Sequence, residues 1–122
     1  MRHTVRGILL KNKQILLVTG HGADFYWTPG GGVENNETIV ETLHREIKEE
    51  LGVVVTTYKP YYSYEYKDQK VDNFIIEVEG DISANVEITS IAWYDSNTTS
   101  TKLSNGFNEV LKPRLVADEL IN

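Results

Sequence analysis

The chain contains no cysteine, which excludes disulfides and thiolate metal sites and leaves oxygen and imidazole groups as donors for any metal. It is also short of cationic side chains. Twelve Lys and Arg stand against 18 Asp and Glu, a net charge of −6, so broad binding to nucleic acid or to an anionic membrane surface is not expected. A polyphosphate substrate would need a metal to offset that repulsion. Long hydrophobic runs are absent too. The stretch Met1 to Leu10 begins with basic residues, but Lys11-Asn12-Lys13 interrupts it before it reaches the length of a signal-peptide core, and nothing approaches a membrane span. A cytoplasmic protein with no membrane partner is the expectation. There is no internal repeat, low-complexity tract or interdomain linker, and 122 residues make one domain, residues 1–122, around a single core.

What is present begins with β patterning. Thr4 to Leu10 and Gln14 to Thr19 are aliphatic and β-branched around a Lys11-Asn12-Lys13 turn, which predicts a hairpin. Gly20 to Asp24 reads as a loop, and Phe25-Tyr26-Trp27 as a short strand entering the glycines Gly30, Gly31 and Gly32, which permit close approach of a ligand. Further strands are expected over Val53 to Tyr58, Tyr61 to Lys67, Val71 to Glu79 and Ile88 to Tyr94. A turn is expected at Lys67 to Lys70, and Pro60 falls at an edge or bend. Beyond the polar loop Asp95 to Thr101, a helical pattern follows Asn105 or Gly106, and Pro113 must kink or split it.

Glu37 to Leu51 reads as a helix, with Asn35 or Asn36 as its cap, Glu37 in its first turn and Gly52 as its left-handed terminator. Val40, Leu43, Ile47 and Leu51 recur at spacings of three and four and form an apolar stripe. Beside that stripe, Glu46 to Glu49 is an i,i+3 step and Glu46 to Glu50 an i,i+4 step, which gathers three acids on one face. Such pairs cost a helix roughly 0.2 to 0.5 kcal/mol each unless a cation compensates. A hard divalent ion such as Mg²⁺ takes such oxygen ligands together with substrate phosphates. The competing reading is a solvated face of an acidic helix.

Spacing decides between the two. Gly31, Glu37, Arg45, Glu46, Ile47, Glu49, Glu50, Gly52 and Val53 match every fixed position of the signature of the Nudix hydrolases. The preceding Trp27-Thr28-Pro29-Gly30 also resembles that family's approach to its box. The resemblance implies an α/β fold, an α/β/α sandwich with a central mixed β-sheet. It implies that Glu46, Glu49 and Glu50 bind Mg²⁺, with Mn²⁺ as a substitute, aided by a backbone carbonyl near Gly30 or Gly31, and that one of these carboxylates could instead deprotonate the attacking water. Arg45 would orient the glutamates and Glu37, its bland alternative being an ordinary helix ion pair. Glu34, Gly32 and Gly52 complete the supporting set; Glu34 could equally be a surface acid, a charge near the helix start or an outer metal ligand.

The implied reaction is Mg²⁺-dependent hydrolysis of a diphosphate linkage in a small nucleoside di- or triphosphate derivative, with water as nucleophile. A nucleotide-sensing module would be expected to have lost some of the box acids, all of which are retained here. An isoprenoid diphosphate isomerase would need a reactive cysteine. Pyrophosphohydrolysis at an RNA 5′ end stays as an alternative, although nucleic acid is not the expected partner, and a homodimer stays open. Glu77, Glu79, Glu87 and Asp95 lie where some members add a ligand or base, each more readily a surface acid. Tyr62, Tyr64 and Tyr66 alternate onto one strand face, as sheet packing or as part of a base platform. His3, His21 and His44 form no ligand pattern. Substrate-binding residues stay unassigned: no signature after Gly52 names a substrate, and phosphate contacts from Arg2 or Arg6 are an open question.

Overall fold

The computed structural model describes residues 1–122. The first strands are β1 (Arg2–Lys11) and β2 (Gln14–Gly20), joined through Asn12 and Lys13, both with positive φ, 53° and 61°. A two-residue turn of that hand matches the twist of the strands it joins. The hairpin is paired only at its closed end, Leu10 with Ile15 and Lys11 with Gln14. Beyond it the strands part. β2 pairs with β6 (Ile88–Tyr94), while the edge of β1 left free by β2 is taken by β3 (Gly30–Gly32). The other edge of β1 runs parallel to β5 (Gln69–Glu79) from Arg2 with Gln69 to Leu9 with Ile76. The order is β4-β5-β1-β2-β6, so the sheet is mixed, as expected.

The edge strand β4 (Val54–Tyr66) is one element where the sequence suggested two. Pro60 does not end it, because an edge strand tolerates a missing donor and the register shifts between Pro60 and Tyr62 to absorb the ring. The turn into β5 is shorter than read, Lys67-Asp68 alone. Phe25-Tyr26-Trp27 makes only isolated bridges, Trp27 with Val18 and Tyr26 with Leu103.

Both sheet faces are covered. Along β2, Leu16 and Val18 point to one side and Ile15 and Leu17 to the other, so alternation feeds two cores. Helix α1 (Ile39–Leu51) closes the first with Leu43, Ile47 and Leu51, all fully buried. Each such side chain contributes about 1.5–3 kcal/mol on leaving water. Phe107, Leu111, Leu115 and Ile121 close the second. The first three belong to a π-helical turn, Phe107–Leu111, running into α2 (Lys112–Ala117), and Ile121 follows it. The Lys112 N–H reaches back five residues to the Phe107 carbonyl, and this widened turn accommodates Pro113, which lacks an N–H and would crowd a tighter helix. The result is the α/β/α sandwich.

The start of α1 corrects the expected cap. Thr38, not Asn35 or Asn36, is the N-cap: its hydroxyl accepts from the Glu41 N–H at 3.1 Å, and Glu41 accepts from the Thr38 N–H at 2.9 Å. This reciprocal Thr-x-x-Glu box satisfies two donors that a lone asparagine could not. Glu37 therefore precedes the helix and is released for another partner. At the other end Gly52 caps as expected, with φ 70°. Thr38→Ala should accordingly destabilise the fold by about 1 kcal/mol, whereas Asn35→Ala should change it little; urea unfolding of the two variants checks the assignment, and the reverse order would refute it.

Candidate active site

Four pieces of backbone meet over the N-terminal half of β1: the glycine strand β3, the acidic face of α1 and the loops at 20–29 and 80–87. β3 lies close because Gly30, at φ 142°, leaves only 2.0 Å between an added Cβ and the Val5 carbonyl oxygen. A Cβ on Gly31 would lie 2.6 Å from the Glu46 carboxyl carbon. Side chains at either position would push the strand off β1 or the carboxylate out of its place.

Arg45 organises the acids. Its Nε and Nη2 donate to the two oxygens of Glu37 at 2.6 and 3.0 Å, its Nη1 to Glu46 at 2.8 Å, and its Nη2 also to the Gly32 carbonyl oxygen at 3.3 Å. Glu37, freed from the helix, receives the Thr42 hydroxyl as well, at 2.9 Å. The guanidinium holds the Glu37 carboxyl down at about 2, and Glu37 in turn raises the pKa of Arg45. Glu34 is more distant, 3.6 Å from Arg45 and mostly exposed.

Glu50 differs from Glu37. It has no cationic partner; the Gly30 N–H donates to it at 3.2 Å. Burial, with the neighbouring Glu46 carboxylate as the next cause, pushes its carboxyl up to about 8. Glu49 turns outward, 3.4 Å from Arg45 Nη1 and half exposed. The helix thus brings Glu46 and Glu50 together but not yet Glu49, and no set of three carboxylate or imidazole side chains is gathered at ligating distance. The donor chemistry nonetheless fits a hard divalent ion. Carboxylate and carbonyl oxygens line the site, and two acids share it with one uncompensated charge between them.

Of the acids outside the box, only Glu87 reaches this site, where it pairs with His21 Nδ1 at 2.5 Å. Glu77 accepts from Thr57 on the sheet and Asp95 caps its own loop. The acids line a compartment of about 390 Å³ with Arg2, Arg6 and the three glycines. A second compartment of about 590 Å³ adjoins it, walled by Phe25, Trp27, Tyr64, Tyr66 and Phe107 with Gln69 also in its lining. Arg6, His21 and Trp27 line both. Tyr64 and Tyr66 therefore face the cleft, while Tyr62 stacks on Tyr64 and lies under Arg114, whose guanidinium carbon is 4.0 Å from its ring centroid. Sequence reading did not place Phe25, Gln69 or Phe107 here; only the alternation of Tyr62, Tyr64 and Tyr66 along β4 pointed toward that face.

The model of the NUDIX domain matches residues 1–113 of the chain. An 8-oxo-dGTP diphosphatase from Buchnera aphidicola subsp. Acyrthosiphon pisum is 35% identical over 66 residues, 52% of this chain and 53% of that protein, so the match spans about half the relative's length. An ADP-ribose pyrophosphatase from Methanocaldococcus jannaschii is 28% identical over 118 residues, 88% of this chain and 69% of the relative. Among solved structures, one from a study of MutT from Aliivibrio salmonicida and Vibrio cholerae superposes with a TM-score of 0.81 at 20% identity, covering 95% of this chain and 98% of that one. The shared fold is thus established well beyond the box itself.

The Glu46–Glu50 pair gives metal-free stability a definite pH slope. Between about 4.5 and about 8, folded Glu50 keeps a proton that the unfolded chain has released, so stability should fall as pH rises through that window. Glu37 acts oppositely: its contribution is present above about 4.5 and lost as pH drops toward about 2, which leaves the higher window unaffected. Urea unfolding in EDTA at pH 5 and pH 8 should show the decline, and Glu50→Gln should flatten it; an unchanged slope in that variant would refute the assignment.

Proposed function

This chain belongs to the NUDIX domain family, and on that premise we propose that it hydrolyses a diphosphate linkage in a small nucleoside di- or triphosphate derivative, using Mg²⁺. The observation that carries this reading is the pair of joined compartments, one aromatic and one lined by carboxylates, with a common wall at Arg6, His21 and Trp27. A nucleoside occupies the first and its phosphates the second. Glu46 and Glu50 would hold the ion, with carbonyls at Gly30 and Gly31 and with Glu49 turned inward. When bound, Mg²⁺ neutralises phosphate charge and acidifies the attacking water.

The protein's own groups supply the rest. Arg45 fixes Glu46 through a charge-assisted bond and is itself fixed by two bonds to Glu37, so Glu46 is held in place before substrate arrives. One of the three box carboxylates takes the proton from water as oxygen attacks phosphorus, and the phosphate or nucleotide on the far side of the bridging oxygen leaves. The aromatic walls hold the nucleoside so that phosphorus presents one face to that water.

Nucleoside triphosphates, sugar nucleotides, dinucleotides and capped RNA, assayed with Mg²⁺, test the reading; cleavage of none of them with Mg²⁺ or Mn²⁺ would sink it. Glu49→Gln and Glu50→Gln should each lower kcat at least about a hundredfold with the fold retained, because each removes charge without changing shape. Arg45→Ala should cost less than either, and steady-state kinetics would show whether it does. In direct competition a 5′-triphosphorylated RNA should lose to small nucleotides, since the acidic chain offers a long polyanion little attraction. A tenfold preference for the RNA would overturn that choice of substrate.

A further inference from the structure

Arg6 is the only guanidinium that lines both compartments. Arg45 spends its donors on Glu37, Glu46, Glu49 and the Gly32 carbonyl. Arg6 makes one hydrogen bond, to the Thr28 carbonyl oxygen at 3.2 Å, and none of the ion pairs of the chain includes it. A guanidinium carries five N–H donors in a flat fork. Arg6 is half-buried; desolvation lowers its pKa, while Glu50 and Glu46 act on it through space. No carboxylate takes its remaining donors, which are left for a group entering either compartment.

Its location says what would complete it. Arg6 lies on β1 opposite Gly30 of β3 and Asn73 of β5, and the Asn73 side chain is buried with its Oδ1 unpartnered. A substrate spanning both compartments must pass Arg6 at the joint between nucleoside and phosphates. A phosphoryl group there presents two oxygens to the fork, the geometry in which Arg binds phosphate most strongly.

We propose that Arg6 is the clamp for the phosphoryl group attached directly to the nucleoside, and so fixes which phosphate lies beside the Glu46–Glu50 pair. This rests on the nucleotide reading of the site. It makes a 5′-phosphate the determinant of recognition, ahead of the base. Arg2, which lines only the carboxylate compartment, has a lesser part in holding that group.

Calorimetric titration with AMP and GMP, and with adenosine and guanosine, in saturating Mg²⁺ tests the clamp without turnover. Arg6→Gln should weaken the monophosphates about 10- to 100-fold, the range of a charge-assisted pair, and leave the nucleosides within about twofold. Arg6→Lys should recover part of the loss, and Arg2→Gln should lose less than Arg6→Gln. Equal weakening of nucleoside and monophosphate, no weakening of either, or equal losses from Arg2 and Arg6 would each overturn the clamp. Thermal unfolding confirms that the variants fold; if Arg6→Gln does not, the Arg6→Lys comparison decides by the same criteria. A folded wild type that cleaves no nucleotide in the substrate assays defeats the underlying reading instead, and is thereby told apart.

Discussion

Four glutamates stand around one arginine in the space between α1 and β3, and the geometry of the site depends on how Arg45 divides itself among them. Two of its bonds go to Glu37, one strong bond to Glu46, one long bond to Glu49, and only a distant approach to Glu34. A single guanidinium has a fork that matches one carboxylate at a time. The division is therefore unequal, and each acid's behaviour follows from its share. Glu37 is fully compensated and strongly acidic; Glu46 is anchored on one oxygen; Glu49 is half exposed at the surface; Glu50, outside the four, receives nothing.

That leaves one carboxyl without a cationic partner inside a well-packed fold, and burial beside Glu46 keeps it protonated up to about pH 8. Glu50 could be neutralised by a second arginine, yet Arg6, the nearest candidate, interacts with it only through space. An ion pair between them would fill both groups and leave neither for a ligand. Keeping them apart costs stability, since burying a carboxyl raises its pKa and burying a guanidinium lowers its own. Functional sites commonly carry such unmet polar demand, compensated by the packing around them. Here the compensation is the buried stripe Leu43, Ile47 and Leu51 on the opposite side of the same helix.

The helix was the most legible part of the sequence because its information is local. Spacing of three and four residues fixes both the buried stripe and the acidic face, and the glycine at 52 marks its end through a conformation that other residues rarely adopt. The cap was misread for a local reason also: two asparagines offered themselves, while the reciprocal bonds of Thr38 and Glu41 required looking at two positions together. Strand limits failed at Pro60, where tolerance depends on the strand being at an edge, a fact held by topology alone. Glu49's outward turn was equally hidden, since shared spacing gives a common face but not a rotamer. The aromatic compartment was least legible. Its walls come from Phe25, Trp27, Tyr64, Tyr66 and Phe107, which are scattered over three segments far apart in sequence and share no common period.

The compartment itself arises from the way the first hairpin opens. β1 and β2 are paired over only two residue pairs, and the chain that follows β2 returns to fill the split: Trp27 exchanges backbone bonds with Val18 of β2, and the Gly7 N–H of β1 donates to the Pro29 carbonyl at 2.8 Å. Trp27 to Gly32 is thus wedged between strands that would otherwise zip together. The same insertion puts an aromatic ring at the shared wall, Gly31 against Glu46, and the Thr28 carbonyl on Arg6. One segment without regular periodicity consequently sets the distance between the aromatic side and the carboxylate side. The carboxylates reside on a helix, whereas the wall between the two compartments is set by a loop, so on the proposed function substitutions in that loop would alter what is cleaved while the box residues stay unchanged.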